Sequence, residues 1–229
     1  MKIPVLSYHS ISNENSPLSL SVEQFEKQLF FLKKNNFKSI FFNEVNSSEK
    51  KKIIITFDDG YKDLIINCLP LLKKYGFKCI CYIVTNNIGK TNIWDFNNKS
   101  INKKELMSKK DLNEWINQGM IIGSHTSDHL DLTKLSIKAT QNQIVNSKNL
   151  LEDNFGIGVD SFCYPYGKYN LQVLQIVKNF YKNAVTTNRS RYCYSKHNPY
   201  LIPRIDMGKK LSKFKMFMKL NTFYEDIKF

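Results

Sequence analysis

Two groups of side chains have the types and spacing to hold a metal ion. They are Asp58-Asp59 in Thr56-Phe57-Asp58-Asp59-Gly60, and His125 with His129 in Gly123-Ser124-His125-Thr126-Ser127-Asp128-His129. Each group follows an apolar run that reads as a β-strand, and parallel α/β architectures build their sites at that C-terminal edge of the strands. Neighbouring side chains at a strand end diverge, so one of the two carboxylates can bind an ion while the other stays free. Histidines four apart meet on one side of a helical turn and can share an ion. With only four histidines in 229 residues, two at this spacing beside a strand end are poorly explained as surface residues. One carboxylate oxygen and two imidazole nitrogens leave coordination positions open, as catalytic metal sites do. Zinc suits these donors, and ferrous iron fits a two-histidine, one-carboxylate set as well. An ion that lowers the pKa of water from about 15.7 to about 7 eases its deprotonation by roughly 12 kcal/mol, which makes hydrolysis the expected chemistry.

Other polar residues stand near strand ends. Phe162-Cys163-Tyr164-Pro165-Tyr166-Gly167 reads as a strand followed by a turn whose backbone amides can receive an oxyanion. His9 ends the run Pro4-Val5-Leu6-Ser7-Tyr8, and Arg204 lies in Ile202-Pro203-Arg204-Ile205. Asp95, beside Trp94 in a polar stretch, suits either the lining of a cleft or the anchoring of its own loop. His197 lies in a polar loop and reads as solvated.

The elements that must position these residues alternate. Strands are expected at Ile3 to Tyr8, Phe37 to Phe42, Lys52 to Phe57, Phe77 to Val84, Met120 to Gly123, Ser161 to Tyr164, Asn183 to Thr186 and Tyr200 to Ile205. Lys52 to Phe57 is the clearest, because Ile53, Ile54 and Ile55 are consecutive and β-branched and Asp58-Asp59-Gly60 stops the run. Helices are expected at Val22 to Lys34 behind the cap Ser21, Tyr61 to Tyr75 up to Gly76, Asp111 to Gln118, Ser136 to Asn154 and Leu171 to Asn179. Thr85 to Lys104 reads as a long loop, a kind of segment that compact domains reserve for function. This order predicts a parallel sheet covered on its outside by helices, either open or closed into a barrel, in a single domain of residues 1–229. A basic helix closes the chain at Lys209 to Phe223, with Leu211, Phe214 and Met218 on one face; it is expected to pack on the domain, and the alternative is a weak association with an anionic membrane surface.

Composition narrows the classes. Lys and Arg number 34 against 20 Asp and Glu, for a net charge of +14, yet the lysines are scattered and no arginine stripe with interleaved aromatics marks a nucleic-acid interface. The hydrophobic fraction of 42% supports a folded core. No stretch reaches the roughly 18 apolar residues of a membrane span, and the start of the chain lacks a secretory pattern, so a cytoplasmic protein, peripheral to the membrane at most, is expected. Five cysteines without such a pattern read as buried free thiols.

On these motifs, running in order from Tyr8-His9 to Pro203-Arg204, the chain resembles the polysaccharide deacetylases, the NodB-homology or carbohydrate esterase family 4 proteins. The resemblance implies a distorted (β/α)7 barrel, Asp59, His125 and His129 on one divalent ion, and Asp58 as general base. The expected ion is Zn2+, with Co2+, Ni2+, Mn2+ and Fe2+ as alternatives. It further implies an N-acetylated saccharide as substrate, a polarised acetamide carbonyl, an oxyanion held in part by the Tyr166 amide beside Pro165, and an acetyl pocket for which Tyr166 and Leu201 are candidates. Products are acetate and a free amine. Two departures stand out. The arginine that many members carry in the third motif is replaced here by Cys163 and Tyr164, which leaves Arg204 as the candidate partner of the base. The late histidine that many members use as general acid is missing, which leaves His9. An early Tyr-His with a late Pro-Arg resembles the branch of exopolysaccharide poly-N-acetylglucosamine deacetylases. Rival expectations are a hydrolase of another C–N bond on the same scaffold and an inactive sugar-binding protein. The sequence leaves the oligomeric state open.

Overall fold

The computed structural model describes residues 2–227. Seven parallel strands close into a distorted barrel: β1 (Val5–Tyr8), β2 (Lys52–Phe57), β3 (Ile80–Ile83), β4 (Ile121–Ser124), β5 (Ser161–Cys163), β6 (Asn183–Arg189) and β7 (Ile202–Asp206). Each strand pairs with the next in chain order, and β7 returns to β1 through Ile205↔Leu6 and Asp206↔Ser7. The ring is uneven, since β4 and β5 meet at the single pair Ser124↔Phe162 and β6 shifts register against β7 between Val185 and Arg189.

Side chains alternate across each strand, and the two phases build two cores. Val5, Ile54, Ile80, Tyr82, Val185 and Ile202 point inward and fill the N-terminal half of the barrel. Leu6, Ile53, Ile55, Phe57 and Phe162 point outward against the helices, where they meet Phe25, Leu29, Leu32 and Val177. Each of these fully buried side chains contributes about 1.5–3 kcal/mol of transfer free energy. Gly123 is fixed by the inner layer: a Cβ there would lie 2.5 Å from the Tyr82 ring, whose hydroxyl shares a 2.7 Å hydrogen bond with Ser161.

The covering helices are α1 (Val22–Lys34), α2 (Leu69–Tyr75), α3 (Lys109–Asn117), α4 (Ile137–Phe155), α5 (Leu171–Phe180) and α6 (Lys213–Asn221). Ser21, Ser108, Ser136, Asn170 and Ser212 cap five of them by accepting a backbone amide, each cap being worth about 1 kcal/mol. Among the described residues all five cysteines are buried and unpaired, and no helix is long and apolar enough to cross a membrane.

Several elements differ from expectation for physical reasons. Pro4 interrupts the first strand, so Lys2–Ile3 leaves the barrel to pair antiparallel with Tyr192–Cys193. The strand expected at Phe37 to Phe42 shrinks to Lys38–Ser39 beside the start of β2. The helix expected from Tyr61 begins at Leu64 with a wide π-turn, Leu64–Cys68, in which Leu69 N–H reaches Leu64 O; Pro70 has no N–H to offer Ile66, and the wider turn absorbs the missing bond.

The last helix is shorter than expected and rolled about its axis. Met216 and Leu220 are buried, whereas Phe214 is 73% exposed and Phe217 also faces outward. Two polar anchors impose this roll. Gln28 on α1 donates to the carbonyls of Met207 and Lys209, and Lys219 donates to Asp206 O while pairing with Glu225.

Candidate active site

The inward phase of the strands that builds the inner core also delivers the polar side chains above it. Thr56 follows Ile54 along β2, and Asp58 is the next inward position; His9 bears the same relation to Val5 and Ser7, and Arg204 to Ile202. Asp59 has a left-handed backbone, φ 72°, which swings its side chain away from that of Asp58. His125 and His129 come together by a different route from the helical turn that their spacing suggested. The chain after β4 is a loop with Thr126 at φ 69° and His129 at φ 58°, and the His129 amide donates to Thr126 Oγ1 at 3.0 Å. This reversal brings the imidazole centroids to 4.6 Å.

Asp59, His125 and His129 form one buried cluster whose donor atoms all lie within 4.8 Å of one another. Nε2 of each histidine stands 3.6 Å from Asp59 Oδ1. That is too long for a hydrogen bond and close to the ~3.4 Å that separates two donors each about 2.1 Å from a tetrahedral ion. Asp59 Oδ1 and His129 Nδ1 are buried with no hydrogen-bond partner, a state that is costly for a polar atom and that a cation at Oδ1 removes for the carboxylate. Burial pushes the His125 pKa down to about 4 and that of His129 well below the ordinary value, so both rings present neutral lone pairs. Burial and the neighbouring Asp58 charge push the Asp59 carboxyl well up. The residues therefore fit a divalent cation. His125 Nδ1 sits 2.8 Å from Cys163 O, a contact to a carbonyl that requires the proton on Nδ1 and leaves Nε2 for the ion.

A second possible grouping, Asp58 with His125 and Cys163, is already committed elsewhere. Arg204 donates to both Asp58 oxygens at 2.7 Å, to Thr56 Oγ1 at 3.1 Å and through Nε to Thr186 O at 2.9 Å. Burial raises the Cys163 thiol pKa well up, so it carries no thiolate. Burial alone would raise the Asp58 carboxyl as well, but Arg204 outweighs it and holds the group well below the usual carboxylate range. His9 Nε2 lies 3.8 Å from Asp58 Oδ2, with its side chain about a third exposed at 31%. Burial lowers the His9 pKa, and Asp58 opposes the shift.

Two participants were not singled out from the sequence. The Tyr61 phenol stands close enough to Asp59 to oppose the rise of its carboxyl pKa, and Asn92, fully buried, donates to Tyr61 Oη at 3.5 Å and to Asp95 Oδ2 at 3.3 Å. Neither bears a motif; only their positions after Asp58-Asp59-Gly60 and inside the long loop hinted at them. Asp95 thus anchors its loop and also lies near enough to act electrostatically on His9 and Asp59.

Aromatic rings form the rim. Trp94 stacks on His129 at 4.8 Å, and Tyr166 meets the same imidazole edge-on at 4.6 Å. Pro165 is buried beneath this turn and Tyr166 is 49% exposed at its crest. Tyr166 and Gly167 are both left-handed, and a Cβ on Gly167 would fall 2.0 Å from Thr187 Oγ1. Leu201 is not brought to this rim. It precedes the first residue of β7, at the opposite end of the barrel, and stands three residues, roughly 10 Å of strand, before Arg204.

The sequence profile described as polysaccharide deacetylase matches residues 45–185. The chain belongs to the polysaccharide deacetylase family. It is 31% identical over 215 residues to YxkH of Bacillus subtilis (strain 168), covering 88% of this chain and 72% of that one. It is 29% identical over 221 residues to the poly-beta-1,6-N-acetyl-D-glucosamine N-deacetylase of Staphylococcus aureus (strain MRSA252), covering 86% and 71%. Among solved structures, the Streptococcus pyogenes deacetylase PplD in complex with acetate superposes with a TM-score of 0.83 at 26% identity, over 96% of this chain and 99% of that one. IcaB from Ammonifex degensii shares the fold, with a TM-score of 0.79 at 19% identity over 90% and 91%. Within this polysaccharide deacetylase fold, the cluster of Asp59, His125 and His129 and the clamped Asp58 occupy the C-terminal mouth of the barrel.

Proposed function

We propose that the protein is a metal-dependent hydrolase that removes N-acetyl groups from an N-acetylated glycan, releasing acetate and a free amine. One observation carries this reading: an orphaned, buried Asp59 oxygen stands between two neutral imidazoles, beside a second carboxylate kept ionised by Arg204. Asp59, His125 and His129 would hold the ion, for which zinc is our choice on donor type. When bound, the ion supplies Lewis acidity, which eases deprotonation of a water and draws electron density from an acetamide carbonyl.

The chain's own groups do the rest. Asp58 takes a proton from the attacking water as its oxygen bonds to the carbonyl carbon. Because Arg204 keeps Asp58 a weak base, the proton does not rest there, and His9 at 3.8 Å is placed to receive it. His9 then gives the proton to the departing nitrogen as the C–N bond breaks, leaving acetate and the amine. The Tyr166 amide, on a turn held left-handed beside Pro165, is assigned to the developing oxyanion. Trp94, Asp95 and Tyr166 would flank the sugar.

Acetate release from N-acetylglucosamine oligosaccharides, measured after stripping with a chelator and again after adding Zn2+, tests the reading. Release that returns with the ion is expected. No release from any sugar, together with turnover of a non-sugar amide, would assign the site to a different substrate.

A further inference from the structure

A cavity of about 350 Å³ opens at the C-terminal mouth of the barrel between β6 and β7, covered by the segment that leads into α6. It adjoins the candidate active site. Thr187, Arg204 and Asp206, which line it, share the inward phase of Val185 and Ile202. Arg204 also binds Asp58, and Thr187 abuts Gly167 of the rim turn.

The lining is strongly cationic, with Lys209, Lys210, Lys215, Lys219, Arg189 and Arg204 facing two carboxylates, Asp206 and Glu225. Glu225 is taken up by Arg189 at 2.6 Å and Lys219 at 2.8 Å, and Asp206 accepts from the Gly208 amide at 2.9 Å. Among the described residues, Lys209, Lys210 and Lys215 form no ion pair; Lys210 feels Glu23 only at longer range. Three lysines thus line a cavity one residue from the base, and among the described residues none of them is ion-paired with a carboxylate, Asp206 of the same lining included.

The chemistry of the product sharpens the point. Every acetamide hydrolysed leaves an amine that is cationic at neutral pH, so a neutral glycan becomes positively charged as it is processed. Such a chain would be repelled by this lining and by a protein of net charge +14. A glycan that carries its own negative charges would stay attracted throughout.

We propose that the lysine-lined cavity receives carboxylate or phosphate groups of the same chain whose acetamide lies over Asp58, so that the preferred substrate is an anionic N-acetylated glycan. This deepens the N-deacetylase reading and rests on it.

Three oligosaccharides of equal length separate the possibilities: a neutral N-acetylglucosamine oligomer, one alternating with glucuronate, and one joined through phosphodiesters. On an anionic substrate kcat/KM is expected to be about tenfold higher than on the neutral one at about 20 mM salt, and to lose most of that advantage at about 300 mM. The arm that shows the advantage identifies carboxylate or phosphate as the recognised group. Combined Lys209→Gln, Lys210→Gln and Lys215→Gln should bring the anionic rate down to the neutral one and leave the neutral rate unchanged. Equal rates on all three substrates, or an advantage untouched by the lysine changes, overturns the proposal while the N-deacetylase reading stands. If no sugar is hydrolysed but calorimetry finds lysine-dependent binding of an anionic oligomer, the N-deacetylase reading fails and the anion site survives. Sedimentation with phosphatidylglycerol vesicles that requires these lysines, with no discrimination among the sugars, would assign them to a lipid surface and overturn the proposal.

Discussion

The Arg204 guanidinium meets both oxygens of Asp58 at 2.7 Å, so the last strand of the barrel clamps a carboxylate carried by the second. Both side chains are buried, which makes the pair costly to break from one side only. Arg204→Met should destabilise the fold by about 3–5 kcal/mol, read from urea unfolding, because it leaves Asp58 charged and alone. Asp58→Asn, which leaves Arg204 buried without its counter-charge, should also lose stability, yet keep its affinity for the ion and lose activity by a factor of about 10² to 10⁴. An Asp58→Asn variant as fast as wild type would remove Asp58 from proton transfer.

His9 is the group nearest to Asp58 that can move a proton onward, at 3.8 Å. His9→Ala should lower kcat by about 10² to 10⁴ with stability nearly unchanged, since its side chain is partly exposed and makes no strong bond. A normal rate in steady-state assays would assign the leaving-group proton to another source.

Ion binding should be visible as stability. With free Zn2+ at about 100 times its Kd, the midpoint of thermal unfolding should rise by the equivalent of about 2.7 kcal/mol over the stripped protein. Asp59→Asn and His129→Ala should abolish that rise. If the stripped and loaded proteins melt together, the three donors do not share an ion.

Acid should destabilise the stripped protein in two steps. His125, with its pKa at about 4 in the fold against an ordinary 6.5, and His129, shifted the same way, favour the neutral fold above about pH 6.5. As pH falls below that value the unfolded chain takes up these protons first, and stability drops by about 1.4 kcal/mol per pH unit for each histidine. Asp59 acts in the opposite sense, because its raised carboxyl binds a proton in the fold before it does so in the unfolded chain. Asp59→Asn should therefore show a steeper decline between about pH 6.5 and pH 4 than wild type. The second step belongs to Asp58, whose stabilisation holds above the ordinary carboxylate value of 3.8 and is lost below it. Urea midpoints across this pH range check both steps, and a wild-type profile flat down to pH 4 would contradict the buried, neutral histidines.

Much of this was legible in the residues. Consecutive β-branched isoleucines stopped by Asp58-Asp59-Gly60 identified β2, and Ser21 marked a helix start, because burial and capping act over a few neighbouring positions. The clustering of Asp59, His125 and His129 was legible because few side chains have the chemistry to hold an ion. The route by which His125 and His129 meet was not, since it depends on left-handed backbone at Thr126 and His129, residues with no conformational signature for it. Tyr61 and Asn92 were hidden for a related reason: their roles arise from a loop folding back 31 positions along the chain. The roll of α6 is not legible from apolar spacing, because it follows from polar anchors: Gln28, distant in sequence, and Glu225, just beyond the end of the helix. Leu201 resembles an acetyl-pocket residue only by its place near a late motif, and strand direction carries it to the opposite end of the barrel.

Only two residue pairs, Ile205↔Leu6 and Asp206↔Ser7, join β7 to β1 and seal the ring. His9 and Arg204 ride on the two sides of that seam, whereas Asp59, His125 and His129 all hang from the arc between β2 and β4. Fraying at the seam would pull Arg204 away from Asp58, while His9 stays beside Asp58 through the four β1–β2 pairs and Asp59, His125 and His129 stay together. Metal content would then overcount competent molecules, and a preparation with a full complement of ion could still be largely silent.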